Sequence, residues 1–312
     1  MTTSQRERQQ AAILQGLRAS PKTLPAALFY DARGAELFEA ICSLPEYYLT
    51  RADISILEAR ARDLAALIGP GAAVIELGSG AAIKIRLLLA ALESPLAYIP
   101  VDVSRDQLFQ EAAARAQEFP GVQVTPIWAD YSEAIVLPGL PAAARRVVFF
   151  PGSTIGNFEP PAAGEFLRRA RELVGAGGGM ILGVDRRKDA SVLNAAYNDT
   201  AGVTAAFNLN MLAHLNRDFG GTFELAKFRH RAFFNEGESR IEMHLEALAA
   251  QSVEVLGETF ELAAGERIHT ENSYKYDQPR LEALARAGGW RLVQLFTDQQ
   301  EQFWVAWLEP DN

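Results

Sequence analysis

Cysteine is nearly missing from this chain: Cys42 is the single copy in 312 residues. No intrachain disulfide can form, and the count fits a reducing compartment, the cytoplasm. Cys42 follows Ile41 in an apolar stretch and reads as a small core residue. Zinc spacing is missing too. His214, His230, His244 and His269 are scattered without cysteine partners, so no metal is expected. Basic charge is short, with 30 Lys and Arg against 39 Asp and Glu, a net charge of −9. No Lys/Arg cluster offsets that balance, which argues against a nucleic-acid partner. The apolar runs are far too short for a membrane span. Residues 1–8 lack the apolar centre of a signal peptide. No internal repeat and no low-complexity tract occurs. What the chain does have is apolar content, 49% hydrophobic, enough for a substantial core. Its length suits one large domain or two medium ones.

The stretch Ala73-Val74-Ile75-Glu76-Leu77-Gly78-Ser79-Gly80 is the focus of the pattern. It reads as a short buried strand, an acid and a glycine turn, followed by a helical segment from Ile83. Glycine lets the backbone turn sharply and approach a ligand closely. A nucleotide-like cofactor at the end of a first parallel strand needs this arrangement. A dinucleotide fingerprint would add a third glycine or alanine and place its acid after the second strand. An acid ahead of the glycines suits a cofactor that carries an amino group, as S-adenosylmethionine does. An ordinary βα turn is the alternative at this point.

The rest of the chain supplies the context. Residues 5–19 read as a helix ended by Pro21 and Pro25. A helix over 36–42 and a loop over 44–51 follow, then a helix over 53–68 by its apolar periodicity. Strands are predicted at 96–101, 122–128, 147–150 and 180–185, with helices at 105–117 and 162–174 between them. That alternation implies a parallel sheet with right-handed crossovers and ligands beyond the strands' carboxyl ends. Polar residues stand at those ends: Glu76, Asp102, Asp130, Asn157 and Asp185. Residues 188–216 read as helical, and 223–234, 240–250 and 253–262 as antiparallel strands. A helix at 278–287 and a hairpin from 290–296 and 302–308 close the chain, as a methyltransferase sheet usually ends. The fold expected is α/β, with residues 188–273 an insertion. Residues 53–187 and 274–312 would then form the cofactor domain. Residues 1–52 and 188–273 would form an α+β substrate domain, and a site between two domains is a favoured pocket.

Seven stretches extend the pattern. They are Phe29-Tyr30-Asp31-Ala32-Arg33-Gly34, Leu44-Pro45-Glu46-Tyr47-Tyr48, the acid–glycine loop, and Pro151-Gly152-Ser153-Thr154-Ile155-Gly156-Asn157-Phe158. Tyr197-Asn198-Asp199, Ile241-Glu242-Met243 and His269-Thr270-Glu271-Asn272-Ser273 complete the set. Over nearly its whole length the sequence resembles the histidine-specific S-adenosylmethionine-dependent methyltransferases of ergothioneine biosynthesis. Those enzymes convert L-histidine to hercynine, its Nα-trimethyl betaine.

The resemblance implies a class I, Rossmann-like methyltransferase sheet with an inserted substrate domain, acting as a monomer on a small molecule. It implies that Glu76, Gly78, Gly80, Lys84 and Asp102 hold the cofactor, Asp102 through the ribose hydroxyls and Lys84 at the cofactor carboxylate or the loop. Asp130 and Tyr131 would lie by the adenine. Asn157 and Tyr197 resemble the residues that grip the substrate's α-amino and carboxylate groups, with Tyr30 and Tyr47 lining the same place. Glu271 and Ser273 resemble the pair that reads the imidazole, with Met243 against the ring. Tyr30 and Asn157 are the catalytic candidates: Asn157 orients the amine, and Tyr30 is a proton acceptor or relay. One departure is the apolar run Ala81-Ala82-Ile83 after the glycines.

Bland readings stand beside these. Lys84 can be a solvated helix residue, any one tyrosine plain packing, and Glu271 a partner for Lys275 four residues on. Competing functions are a nicotinamide-dependent dehydrogenase, a non-catalytic relative, and an N-methyltransferase of another amino acid such as a tryptophan derivative. The Glu271 and Ser273 pair favours a ring with N–H donors, and so histidine.

Overall fold

The computed structural model describes residues 3–80, 83–131, 133–141 and 144–311. Ala81 and Ala82, the apolar continuation of the glycine loop, lie outside the described residues. Helix α1 (Thr3–Arg18) leads through strand β1 (Lys22–Thr23) to helices α2 (Ala32–Cys42) and α3 (Tyr48–Ile68). Then come β2 (Ala73–Leu77), α4 (Ile83–Ala91), β3 (Ala97–Asp102), α5 (Arg105–Glu118), β4 (Gln123–Val124) and β5 (Ile127–Trp128). Strand β6 (Arg146–Phe150), α6 (Pro160–Val174) and β7 (Gly179–Asp185) complete the alternation. Helices α7 (Ala190–Ala196) and α8 (Val203–Asp218) follow, then β8 (Phe228–Asn235), β9 (Arg240–Ala247), β10 (Gln251–Val255), β11 (Glu258–Leu262) and β12 (Arg267–Tyr274). Helix α9 (Gln278–Ala287) and the strands β13 (Trp290–Thr297) and β14 (Phe303–Pro310) end the chain. Among the described residues no helix is long and apolar enough to cross a membrane.

Two compact units emerge, Met1–Tyr48 with Lys188–Ser273, and Leu49–Arg187 with Tyr274–Asn312. The second contains one sheet in the order β13-β14-β7-β6-β2-β3-β4, with β5 also on β3. Strands β2, β3, β6 and β7 pair in parallel, whereas β14 runs antiparallel to β7 and β13 antiparallel to β14. Strands β2 and β7 are buried at every residue, as a sheet covered on both faces requires. The order reverses at β2, whose neighbours are β3 and β6, so the crevice beyond β2 and β6 is the topological switch point. A core including Ile75, Val148, Phe166, Leu182, Trp290 and Trp304 fills the layers.

The first unit has the sheet β1-β12-β9-β8 and the hairpin β10-β11. Its helices are tied by carboxylates. Asp31 caps α2 by accepting from the Gly34 N–H at 2.7 Å, and also accepts from Asn210 Nδ2 at 2.7 Å and Arg217 Nη2 at 2.8 Å on α8. A Cβ on Gly34 would lie 1.6 Å from the Phe29 carbonyl oxygen, so only glycine closes that turn.

Several predicted elements change in the structure. The strand at 122–128 is two pieces, because Pro126 has no N–H for the ladder. The helix over 188–216 breaks between α7 and α8, where Asp199 accepts from the N–H groups of Val203 and Thr204, each at 2.8 Å. The strand at 253–262 folds into β10 and β11 about Leu256 and Gly257, with φ of 54° and 79°, the positive pair a type I′ turn needs. Helix α3 begins at Tyr48, inside the stretch read as a loop, because Leu49, Ala52 and Ile56 carry the buried face back a turn. Cys42 ends α2 half-buried and is not a full core residue.

Lys275 and Asp185 form a fully buried ion pair at 2.7 Å in the second unit. Lys275→Met should cost roughly 3–5 kcal/mol, the range for removing one partner and leaving a buried charge. The double variant Asp185→Leu/Lys275→Met should recover much of that loss. Urea unfolding midpoints of the singles and the double measure it, and strictly additive losses would show that the two charges do not depend on each other.

Candidate active site

In the second unit the glycine loop leaves β2 next to two carboxylates. Glu76 is buried and accepts a short hydrogen bond from the Tyr98 hydroxyl on the neighbouring strand. Burial pushes the Glu76 carboxyl up to about 7, against the downward pull of the Tyr98 hydroxyl and the Lys84 charge. Gly78 has φ of 74°, and a Cβ there would stand 3.3 Å from the Tyr131 ring. Its N–H donates to the Val101 carbonyl at 2.9 Å, which draws the loop over the end of β3. Gly80 has open space where a Cβ would go, so the backbone here does not demand glycine. Asp102 ends β3 and accepts from the Ser104 N–H at 2.8 Å, while burial raises its carboxyl above the usual range. The Tyr131 hydroxyl is raised by burial and then by the charges of Asp102 and Asp130, which places the three together. Tyr131 packs edge-on against Phe150 with ring centroids 5.7 Å apart.

Lys84, in the first turn of α4, is not a solvated residue. Its ammonium lies 2.7 Å from Asp53 Oδ2, and Asp53 is fully buried. The same oxygen accepts from the Gly152 N–H at 2.8 Å, just past β6. Ser153 takes a left-handed φ of 61°, and its hydroxyl accepts from the Asp185 N–H at 2.8 Å. The 3-10 turn Thr154–Asn157 follows and ends at half-buried Asn157.

The other candidates lie in the first unit. Tyr197 is buried, and its hydroxyl donates to Ser273 Oγ at 2.8 Å. Its carbonyl accepts from His230 Nε2 at 2.9 Å. Tyr47 sits edge-on to Tyr197, centroids 6.2 Å apart, and to Phe38 at 6.5 Å. Burial lifts the Tyr47 hydroxyl well above the usual phenol range, and Tyr197, Cys42, Glu271 and Tyr30 add to the rise. Tyr30 is 45% exposed and meets Phe38 and Phe207 edge-on. Tyr30, Tyr47, Tyr197, Glu271 and Ser273 therefore share one neighbourhood. Met243 is buried on β9, where its carbonyl accepts from the Thr270 hydroxyl at 3.0 Å. Glu46 accepts from the Thr200 N–H and hydroxyl at 3.2 and 2.8 Å, joining the Tyr47 loop to the turn after Tyr197. The expected partner for Glu271, Lys275, is committed to Asp185.

Sequence reasoning missed Asp53 and Tyr98. The signal for Asp53 was a charge four residues ahead of Leu57, on the apolar face of its helix. Spacing also gave no hint that Glu242, His244 and His269 meet, their ligand atoms all within 4.8 Å of one another. His244 is held down to about 4, by burial first and by His269 second.

A parallel sheet with acid-tipped strands, a glycine loop at its switch point and an antiparallel closing hairpin is the architecture of a class I methyltransferase. Asp102, the Gly78 turn, and Asp130 with Tyr131 stand at or just beyond the carboxyl ends of β3, β2 and β5. Residues 9–310 match the family described as histidine-specific, SAM-dependent methyltransferase, and the chain belongs to it. The histidine N-alpha-methyltransferase of Mycolicibacterium smegmatis is 41% identical over 296 residues, 93% of this chain and 91% of that protein. Its namesake in Mycobacterium tuberculosis is 39% identical over 94% of this chain and 92% of its own length. Ergothioneine biosynthesis protein 1 of Neurospora crassa is 31% identical over 89% of this chain and 32% of that larger protein. An S-adenosylmethionine-dependent methyltransferase structure from Clostridium acetobutylicum superposes with a TM-score of 0.49 at 10% identity, over 83% of this chain and 93% of that one.

The raised Glu76 carboxyl makes stability depend on pH. Its folded value of about 7 stands above the ordinary 4.5, so folding favours the protonated form. That contribution is full below 4.5 and is lost as pH rises through about 7, at up to about 1.4 kcal/mol per pH unit. Urea stability of the native chain should therefore fall relative to Glu76→Gln between pH 5 and 8. Parallel profiles for the two proteins would mean that Glu76 titrates as an ordinary carboxyl.

Proposed function

We propose that this chain transfers three methyl groups from S-adenosylmethionine to the α-amino nitrogen of L-histidine, giving hercynine, a step toward ergothioneine. Family membership supports the cofactor and the substrate class. One observation carries the substrate reading: the Tyr197–Ser273 hydroxyl pair lies in one buried aromatic neighbourhood with Tyr47 and Glu271. Hydroxyls and a carboxylate among aromatic rings suit an amino acid with a polar ring.

The bound cofactor supplies a methyl group already activated by its sulfonium, so the transfer requires no metal. The protein's work is then positioning. Asp102 accepts from the ribose hydroxyls, and Gly78, Gly80, Lys84 and Glu76 shape the loop. Asp130 and Tyr131 take the adenine. Asn157 orients the substrate amine through its amide oxygen, and Tyr197 holds the substrate carboxylate. The amine must be unprotonated to attack. The Tyr47 hydroxyl stays neutral because burial raises it, so it serves as a ring face and a donor and not as a base. Tyr30, the more exposed of the tyrosines, is the proton relay, or the proton leaves to water before attack. The tyrosine faces attract the ammonium as it gains methyl groups.

Incubation with S-adenosylmethionine and each of the twenty amino acids, read by tandem mass spectrometry, should show mono-, di- and trimethylated histidine. All methyl groups should sit on the α-nitrogen. A methyl on the imidazole, or another amino acid as the preferred acceptor, would overturn the assignment.

Glu271→Ala should lower histidine kcat/KM by roughly 1.5–3 kcal/mol of transition-state stabilisation, the range for a hydrogen bond to a charged group. Turnover of tryptophan or phenylalanine should rise relative to histidine. Steady-state kinetics with the three amino acids measure this. An unchanged histidine-to-tryptophan ratio would take the ring away from Glu271.

A further inference from the structure

Asp53 has one oxygen fully used and one unused. Oδ2 accepts from the Gly152 N–H at 2.8 Å and pairs with Lys84 Nζ at 2.7 Å. Oδ1 is buried and has no hydrogen-bond partner among the described residues. A second orphan lies in the loop after β2: the buried hydroxyl of Ser79, between the two loop glycines, also lacks a partner among the described residues. A buried polar atom without a partner costs roughly 1–3 kcal/mol, so natural folds rarely keep one unless something else satisfies it.

The elements that carry these groups converge on one place. Ser79 follows β2, Lys84 opens the helix after it, and Gly152 follows β6, the strand beside β2. This is the switch point of the sheet, where an α/β fold binds its ligand. A carboxylate oxygen, a hydroxyl and a lysine ammonium within one crevice match the two charges of an amino-acid zwitterion.

We propose that Asp53 Oδ1 accepts the α-ammonium of the cofactor's amino-acid end, with Ser79 Oγ and Lys84 Nζ donating to its carboxylate. The proposal rests on the methyltransferase reading and adds a cofactor-binding residue on α3, outside the glycine loop. Lys84 then has two tasks: it neutralises Asp53, and it presents its remaining N–H groups to the cofactor carboxylate. Asp53 also fastens α3 to the turn that leads to Asn157.

Two ligands separate binding of the amino-acid end from general support of the loop. S-adenosylhomocysteine has the zwitterion, and 5′-methylthioadenosine keeps only the nucleoside and the thioether. Calorimetry should show Asp53→Asn weakening S-adenosylhomocysteine at least tenfold while 5′-methylthioadenosine changes less than twofold. Ser79→Ala should show the same selectivity with a smaller loss. Equal weakening of both ligands, or of neither, would overturn the proposal. A measurement on the native chain guards against an Asp53 variant that does not fold. The S-adenosylhomocysteine analogue with a hydroxyl in place of the amino group should bind at least tenfold more weakly, and equal affinity would overturn the proposal. Failure of the native chain to bind either S-adenosylhomocysteine or 5′-methylthioadenosine would instead overturn the methyltransferase reading, and this proposal with it.

Discussion

Charge inside an apolar sheet must be answered by a partner from elsewhere in the chain. The second unit obeys that constraint at each buried acid of its strand ends and of the helix ahead of them. Asp185, at the end of β7, is neutralised by Lys275, ninety positions on. Asp53 is neutralised by Lys84. Glu76 meets the phenol of Tyr98, and burial raises its carboxyl to about 7. Each pairing closes a different edge of the same crevice: α3 to α4, β2 to β3, and β7 to the segment that returns after β12. The ligand end of the sheet is thus its most polar and most tightly specified part. Such pairs add little net stability over apolar packing, but breaking one leaves a stranded charge. They set geometry more than they add strength.

The first unit uses the same device for loops. Asp31, Glu46 and Asp199 each accept hydrogen bonds from a backbone N–H and from at least one further group. Asp31 links the Tyr30 turn to α8, and Glu46 links the Tyr47 loop to the turn that carries Tyr197. Loops that would otherwise be mobile hold three tyrosines in fixed relation.

The aromatic setting has a chemical consequence. Burial raises the Tyr47 hydroxyl well above the usual phenol range, and the Tyr197 hydroxyl donates to Ser273 Oγ in this structure. In the proposed reaction, deprotonation of the amine falls to the more exposed Tyr30 or to water. Methyl transfer from a sulfonium tolerates this, since its barrier is met mainly by alignment and not by strong base catalysis.

The sequence by itself determined the sheet and the family. Period and glycine placement located β2, β3, β6 and β7, with acids and an asparagine at or beyond their ends. Those signals are local, and local signals survive in a linear reading. The motif set carried the family for the same reason. The tertiary structure alone decided which acid pairs with which base. Lys84 reads as a solvated helix residue until Asp53 is folded against it, and only the folded chain brings Lys275 to Asp185. His244 and His269 read as scattered until β9 and β12 lie in one sheet. Partner choice across tens of residues depends on which strands and helices become neighbours, and the linear pattern does not encode that in any single window.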